Sequence, residues 1–404
     1  MKISIKNFGP IDHFEFDLEK DLHVIYGENN IGKSWAISLL YLSLKSWKAL
    51  SNLSIEQFNN IKEKQKYRLE NTDKKFLLPE TTWEEDEFIR DFNNSLYNTF
   101  TQMKNFISGL EPEIKFITNH FTLQITRDDD EEGDEELFFY NKGYVFSDLN
   151  VVEYLPNDEY ENIYFLPASK SGIYQVLSNM GNIFAQLAQY SLRDKNLSLP
   201  AMNEPVSDYI LNIATIQSKR QGRFNQLVDF LEEKVIEGSV IFDDFQKKLK
   251  YKSNRTGLVS ELHEASSMIA EISPLVAYLK YILPKKNSIL FIEEPEAHLH
   301  PKVQVEMMKI FVELAKSGVK VVMTTHSDFM MNELTNLLLE KKIDADKVGS
   351  YHLMMGEKGS YDAGDMKATI EGIEDYNFTD VAVEQYERRM AILEKLNQDA
   401  IAEN

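Results

Sequence analysis

Residues 27–34, Gly-Glu-Asn-Asn-Ile-Gly-Lys-Ser, have types and spacing suited to one kind of chemistry, the binding of phosphate. Gly27, Gly32, Lys33 and Ser34 meet the G-x-x-x-x-G-K-[ST] pattern, and Glu28, Asn29, Asn30 and Ile31 form the arc between the glycines. The backbone N–H groups of such a loop, with the N-terminus of the helix behind it, offer fixed positive potential to a polyphosphate. Lys33 would reach the β- and γ-phosphates, and Ser34 would ligate magnesium. The pattern requires a strand before it and a helix after it. The apolar "LHVIYG" and the helically periodic "KSWAISLLYLSLKSWKAL" supply both.

Two other stretches could act on a bound phosphate. "SILFIEEPEAHLHP" reads as a buried strand with acids at its carboxyl end. One such acid can hold hydrated magnesium and the next can polarise an attacking water, so Glu293 is assigned to the metal and Glu294 to the water. "VVMTTHS" ends an apolar strand on His326, as a group reaching toward a γ-phosphate would. Glu296, His298 and His300 alternate in a way that invites a metal centre. Pro295 and Pro301 break the strand geometry that would put the three on one face, so a loop packing across a dimer interface is the preferred reading.

The elements that must position these residues follow from periodicity. "MKISIKNFGPIDHFEFDL" reads as two short antiparallel strands around a turn at residues 7–10. Residues 51–159 read as an insertion, helical and charged at first, then strand-like in "IKFITNHFTLQITR" and "ELFFYNKGYVF". The acidic run at 128–136 reads as a solvated hairpin tip. "NIYFLPASKSGIY" is a strand ending in a polar turn, residues 176–254 read as a helical arm, and "GLVSELHEASSMIAEISPLVAYLKYIL" as a turn feeding an amphipathic helix. Strands alternating with helices define an α/β class with a mostly parallel sheet and ligands at the carboxyl ends of its strands.

Composition narrows the function. With no cysteine there is neither a disulfide framework nor a cysteine-ligated zinc. A formal charge of −21 argues against broad coating of a phosphate backbone. No signal peptide is apparent and no apolar run reaches the roughly 18 residues of a membrane span, so a cytoplasmic location without a membrane partner is expected.

Taken together, "IKNFGPI", "GENNIGKS", "LPASKSG", "FIEEPEAHLHP" and "TTHS" resemble the ordered motifs of ABC-type ATPase heads of the OLD-like and SMC-like group. The resemblance covers the first 50 residues and roughly 160–340. It implies an ABC-type head assembled from residues 1–50, 160–175 and 255–404, with an antiparallel N-terminal subdomain and the insertions at 51–159 and 176–254. It implies ATP and Mg2+ as ligands and a sandwich of ATP between two heads, with a signature helix contributed in trans. The signature stretch departs from the Leu-Ser-Gly-Gly-Gln of transporters: "HEASSMIAE" leaves Ser266 or Ser267 to face the γ-phosphate, or to serve as a plain N-cap. The usual glutamine after the middle strand is also absent, and Ser169 or Lys170 stands in its place. Phe8, near the loop, is either a base-stacking residue or core.

After His326 no Glu plus Asp-x-Asp arrangement suggests a Toprim nuclease, and the long heptads of an SMC arm are missing. The chain therefore resembles a stand-alone ATPase of antiphage systems such as Septu or PARIS, forming a homodimer or higher oligomer that controls a separately encoded nuclease or toxin. The alternatives are a repair or maintenance ATPase acting on DNA through "KKLKYKSNR" (247–255), a transporter subunit, and a scaffold with little turnover.

Overall fold

The computed structural model describes residues 1–51, 76–77, 99, 112–117, 121–127, 139–146, 162–174, 203–218, 224–284, 287–373 and 383–394. The acidic run at 128–136, and most of the stretches of 51–159 and 176–202 that the sequence reads as helical, lie outside these residues. Strands β1 (Lys2–Phe8), β2 (Ile11–Asp17) and β3 (Leu22–Tyr26) open the chain, followed by helix α1 (Lys33–Ser51). Then come β4 (Phe76–Leu77), β5 (Glu113–Ile117), β6 (Phe121–Arg127), β7 (Phe139–Phe146) and β8 (Asn162–Leu166). Helices α2 (Glu204–Ala214) and α3 (Asn225–Phe230) precede β9 (Gly238–Asp243), β10 (Lys248–Ser253) and β11 (Val259–Glu261). The C-terminal half contains α4 (Ser267–Ala277), β12 (Ser288–Glu293), α5 (Pro301–Lys316), β13 (Val319–Thr325), α6 (Asp328–Leu339), β14 (Val348–Met355) and β15 (Ser360–Asp362). A last helix, α7, covers 383–394.

One twelve-stranded sheet runs β4-β7-β6-β5-β1-β2-β15-β14-β3-β13-β12-β8. From β14 to β8 the neighbours are parallel, and from β2 outward to β4 they are antiparallel. This is the α/β fold that the alternation of elements implies. The strands of segment 51–159 do not stand apart: β5 pairs with β1 in register, Ile5 opposite Ile114, and extends the N-terminal strands.

The parallel strands are apolar on both faces because helices cover both. Alternate side chains of each strand enter different cores. Ile25, Phe291 and Val322 join Ile37 and Leu40 of α1, while Val24, Leu290, Ile292, Val321 and Met323 join Leu275 of α4, Phe311 of α5 and Leu334 of α6. Phe8 is fully buried on the α1 side, edge-on to Trp35 at 6.1 Å, and is core.

Two readings of the elements need correction. The helical arm ends before residue 238: β9, β10 and β11 form a three-stranded antiparallel sheet. In β9, Val240 and Phe242 are buried and Ile241 is exposed; in β10, Leu249 and Tyr251 are buried between lysines. That period of two belongs to strands, and the high helix propensity of the flanking lysines masks it. The helix after residue 257 is also not amphipathic, since every residue of α4 from Ala270 to Ala277 is buried.

Candidate functional site

Four neighbouring parallel strands, β3, β13, β12 and β8, end at one edge of the sheet. Their registers align the ends: Tyr26 pairs with Thr325, Glu293 with Thr324, and Ile292 with Leu166. The phosphate-loop candidate, His326, the Glu293–Glu294 pair and the turn holding Lys170 therefore meet, although they span some 300 residues of chain.

The loop's glycines are demanded by their surroundings. Gly27 has φ +152°, and a Cβ there would lie 2.5 Å from the Leu353 carbonyl oxygen. Gly32 has φ +92°, and a Cβ would lie 2.8 Å from Pro10 Cγ. Side chains rarely adopt either conformation. Between them Glu28, Asn29 and Asn30 are exposed, Asn30 in the left-handed region, and Ile31 packs into the α1-side core. Lys33 is buried, its ammonium donating to the carbonyls of Gly27 at 2.9 Å and Glu28 at 2.5 Å. Burial lowers its pKa, while Glu294, Glu296 and Glu28 oppose that shift. No carboxylate forms an ion pair with it among the described residues. A buried ammonium held only by carbonyls of a glycine loop fits an arriving phosphate.

Ser34 stands at the start of α1 and hydrogen-bonds Glu293. Burial raises the Glu293 pKa and Glu294 adds to the rise, whereas Ser34, the Ala168 N–H at 3.3 Å and Lys170 hold it down. A hydroxyl and a buried carboxylate in contact form a hard oxygen pair of the kind magnesium takes. Glu294, next along, is half-buried with φ 41°. Its N–H donates to the main-chain and side-chain oxygens of Thr324 at 3.2 and 3.3 Å, which lash β12 to β13. The left-handed region costs a residue with a Cβ roughly 1–2 kcal/mol, and strain of this kind gathers at functional sites.

Glu296 has a role that sequence reasoning missed. It is buried, and its Oε1 accepts from the Thr325 hydroxyl and the His326 N–H, both at 2.8 Å, with His326 Nδ1 at 3.7 Å. Its Oε2 is buried without a hydrogen-bond partner among the described residues. Glu296 thus fixes the strand end that presents the part-exposed His326 ring. His298 (φ 59°) and His300 point to solvent instead, and His300 Nδ1 caps α5 by accepting from Lys302 N. The three do not gather, and the described residues contain no cluster able to hold a metal by His, Cys, Asp or Glu alone. The tight turn, in which Ala297 N donates to Glu294 O and Leu299 N to Glu296 O, is what separates them.

Burial separates Lys170 from Ser169. Ser169 is exposed with φ 53°, whereas Lys170 is buried. Lys170 Nζ donates to the Glu293 carbonyl at 3.3 Å and lies 3.8 Å from Glu271 Oε2 on α4. Glu271 also accepts from the N–H groups of Lys170 and Ser171, each at 3.1 Å, and from the Ser171 hydroxyl at 2.5 Å. The α4 helix is therefore tied to the metal-candidate strand through buried charge. At its other end, Ser266 and Ser267 are exposed, and the Ser266 hydroxyl accepts from Ile269 N at 3.4 Å, an N-cap.

In the basic stretch 247–255, three of the five cations are ion-paired, and Lys248 and Lys252 have no ion pair among the described residues. Lys250 pairs with Asp243 at 2.8 Å, Arg255 with Glu237 at 2.6 Å and Lys247 with Asp244 at 3.8 Å across the β9–β10 hairpin. No described helix is long and apolar enough to cross a membrane.

A glycine loop between a central strand and a helix, with acids on the strand two places away, defines a phosphate-loop nucleotide-binding ATPase fold. More narrowly, residues 1–331 match the AAA ATPase domain family AAA_15, and the chain belongs to that family. Among solved structures, an SMC head domain from Thermotoga maritima is similar at 11% identity and a TM-score of 0.39, covering 90% of this chain and 97% of that one. An Smc head domain with an extended coiled coil, bound to the C-terminal domain of ScpA and derived from Pyrococcus furiosus, has 13% identity and a TM-score of 0.43, covering 98% of each chain. No curated protein matches. At such distances the site must be read from its own residues.

Proposed function

We propose that this protein is an ATP-binding and hydrolysing switch that closes head-to-head around ATP and Mg2+ and thereby governs a separate effector. The observation that carries the reading is the convergence of the glycine loop, the Ser34–Glu293 contact, Glu294 and His326 on one sheet edge. Gly27 to Ser34 and Lys33 would hold the phosphates, and Ser34 and Glu293 the magnesium. When bound, the metal neutralises phosphate charge and orients it for attack by water. Glu294, whose backbone N–H is held by the Thr324 oxygens, would take a proton from that water. His326, oriented by Glu296, supplies a donor beside the phosphates.

Support for closure in trans comes from α4. Its serines are exposed at the helix N-terminus while its body is buried and wired to Lys170 and Glu293. An anion on Ser266 or Ser267 would be felt at the metal-candidate strand. An effector such as a nuclease or toxin and a role in antiphage defence rest on the sequence resemblance alone. For the DNA-acting alternative, Lys247 and Lys250 of the 247–255 stretch are paired within their own hairpin, and Lys248 and Lys252 have no ion pair among the described residues.

The test is the solution mass of Glu294→Gln by light scattering after gel filtration, with and without ATP and magnesium. ATP-dependent assembly or compaction is expected, and loss of it on Ser266→Arg or Ser267→Arg. Mass and shape that ignore ATP while nucleotide still binds would overturn the sandwich.

A further inference from the structure

Helix α7 is exposed at all twelve positions, although its sequence, VEQYERRMAILE, is not that of a solvated helix. Val383, Tyr386, Met390 and Leu393 recur at intervals of three, four and three and are 44, 61, 39 and 48% exposed. That spacing gives the a and d positions of two heptads, a seam that normally lies buried against another helix. Nothing among the described residues covers it.

The charges beside the seam select its occupant. With Val383 at a, Arg389 takes g, Glu387 and Glu394 take e, and Arg388 faces outward at f. In a parallel pair, g of one heptad meets e of the next heptad on the other helix. Arg389 would then face Glu394 of a second copy, twice by symmetry. In an antiparallel pair g meets g and e meets e, which sets arginine on arginine and glutamate on glutamate. Neither Arg389 nor Glu394 has an ion-pair partner among the described residues.

We propose that α7 pairs in parallel with α7 of a second copy of this chain. Two heptads are short for a stable dimer on their own, so the pairing acts as a tether that raises the effective concentration of two heads toward the millimolar range. That consequence rests on the ATP-switch reading; the pairing does not.

The chain has no cysteine, so Leu393→Cys adds a single thiol at a d position. The full-length variant, without nucleotide, is oxidised and its covalent dimer followed on a gel. It is expected to cross-link roughly tenfold faster than Arg388→Cys, whose thiol faces away from the seam. Adding Arg389→Glu sets glutamate on glutamate and should slow cross-linking by about tenfold. Adding Glu394→Arg to that protein restores the pairs with reversed polarity and should restore the rate. Circular dichroism of each variant checks that it is folded. Equal rates for the two cysteine positions would overturn the proposal. So would a failure of Glu394→Arg to rescue, which would assign the seam to a different protein. Because no nucleotide is present, this result and the ATP-dependent mass of Glu294→Gln fail independently.

Discussion

Lys170 and Glu271 should be energetically coupled, and the coupling should extend to α4. Both side chains are about 95% buried, with Nζ and Oε2 3.8 Å apart. At an effective dielectric of about 20 the direct attraction is roughly 4 kcal/mol. Glu293, Glu294 and Glu296 also act on Lys170, so losing Glu271 alone does not leave the ammonium without negative charge nearby. Glu271, for its part, keeps its two N–H donors when Lys170 is replaced. Each single change, Lys170→Met or Glu271→Leu, should cost about 3 kcal/mol, the lower end for breaking a buried pair. The double variant should cost about 2 kcal/mol less than the sum, because neither charge is then left buried. Urea unfolding of the four proteins at pH 7 measures this directly. The assembly of Glu294→Gln with ATP, repeated with Lys170→Met added, reads the link to α4 and should weaken. Additivity within roughly 0.5 kcal/mol would refute the coupling, and unchanged assembly would refute transmission through it.

Other outcomes follow from single features of the site and core. Gly32→Ala, forced to φ +92° against Pro10, should destabilise the chain by roughly 1–2 kcal/mol and abolish the thermal upshift with ATP, both visible in one melting experiment. Glu294→Gly should remove the left-handed strain at φ 41° and raise stability by up to about 1 kcal/mol, while phosphate release falls roughly 100-fold or more. Glu296→Gln should slow phosphate release with little change in nucleotide affinity, measured by turnover beside equilibrium binding. His23 is buried against Phe16 and Tyr351, and burial first, then Lys320, lowers its pKa to about 3. The unfolded chain takes up this proton below about 6.5 and the folded chain does not. The stability that neutral His23 preserves is therefore complete above pH 6.5 and falls by about 1.4 kcal/mol per pH unit toward pH 3. Comparing His23→Gln with the parent by urea unfolding from pH 7.5 to 4.5 should show a shallower slope in the variant.

Strand and loop signals differ in how local they are. The eight residues of the phosphate loop were legible because turn, glycines, lysine and helix start are contiguous, and steric demand there is set within a few residues. Glu293, Glu294 and His326 were legible as ends of apolar runs, since a doubly covered parallel strand must be apolar throughout. The 238–253 hairpin was not, because its apolar period of two is short and its lysines suit a helix as well. The role of Glu296 is not legible in the sequence, because only the turn after β12 decides that it points inward while His298 and His300 point out.

By itself, then, the amino-acid sequence determined the glycine loop between a strand and a helix, the α/β class and the acids that end β12. Tertiary structure alone decided which strand lies beside which, and so that Thr325 meets Tyr26 and Glu293 meets Thr324. It also decided that Lys170 rather than Ser169 turns inward, to meet Glu271 a hundred residues away. The physical reason is range: sterics and periodicity act over a few residues, whereas strand order and buried charge pairing are settled only when distant segments share one core.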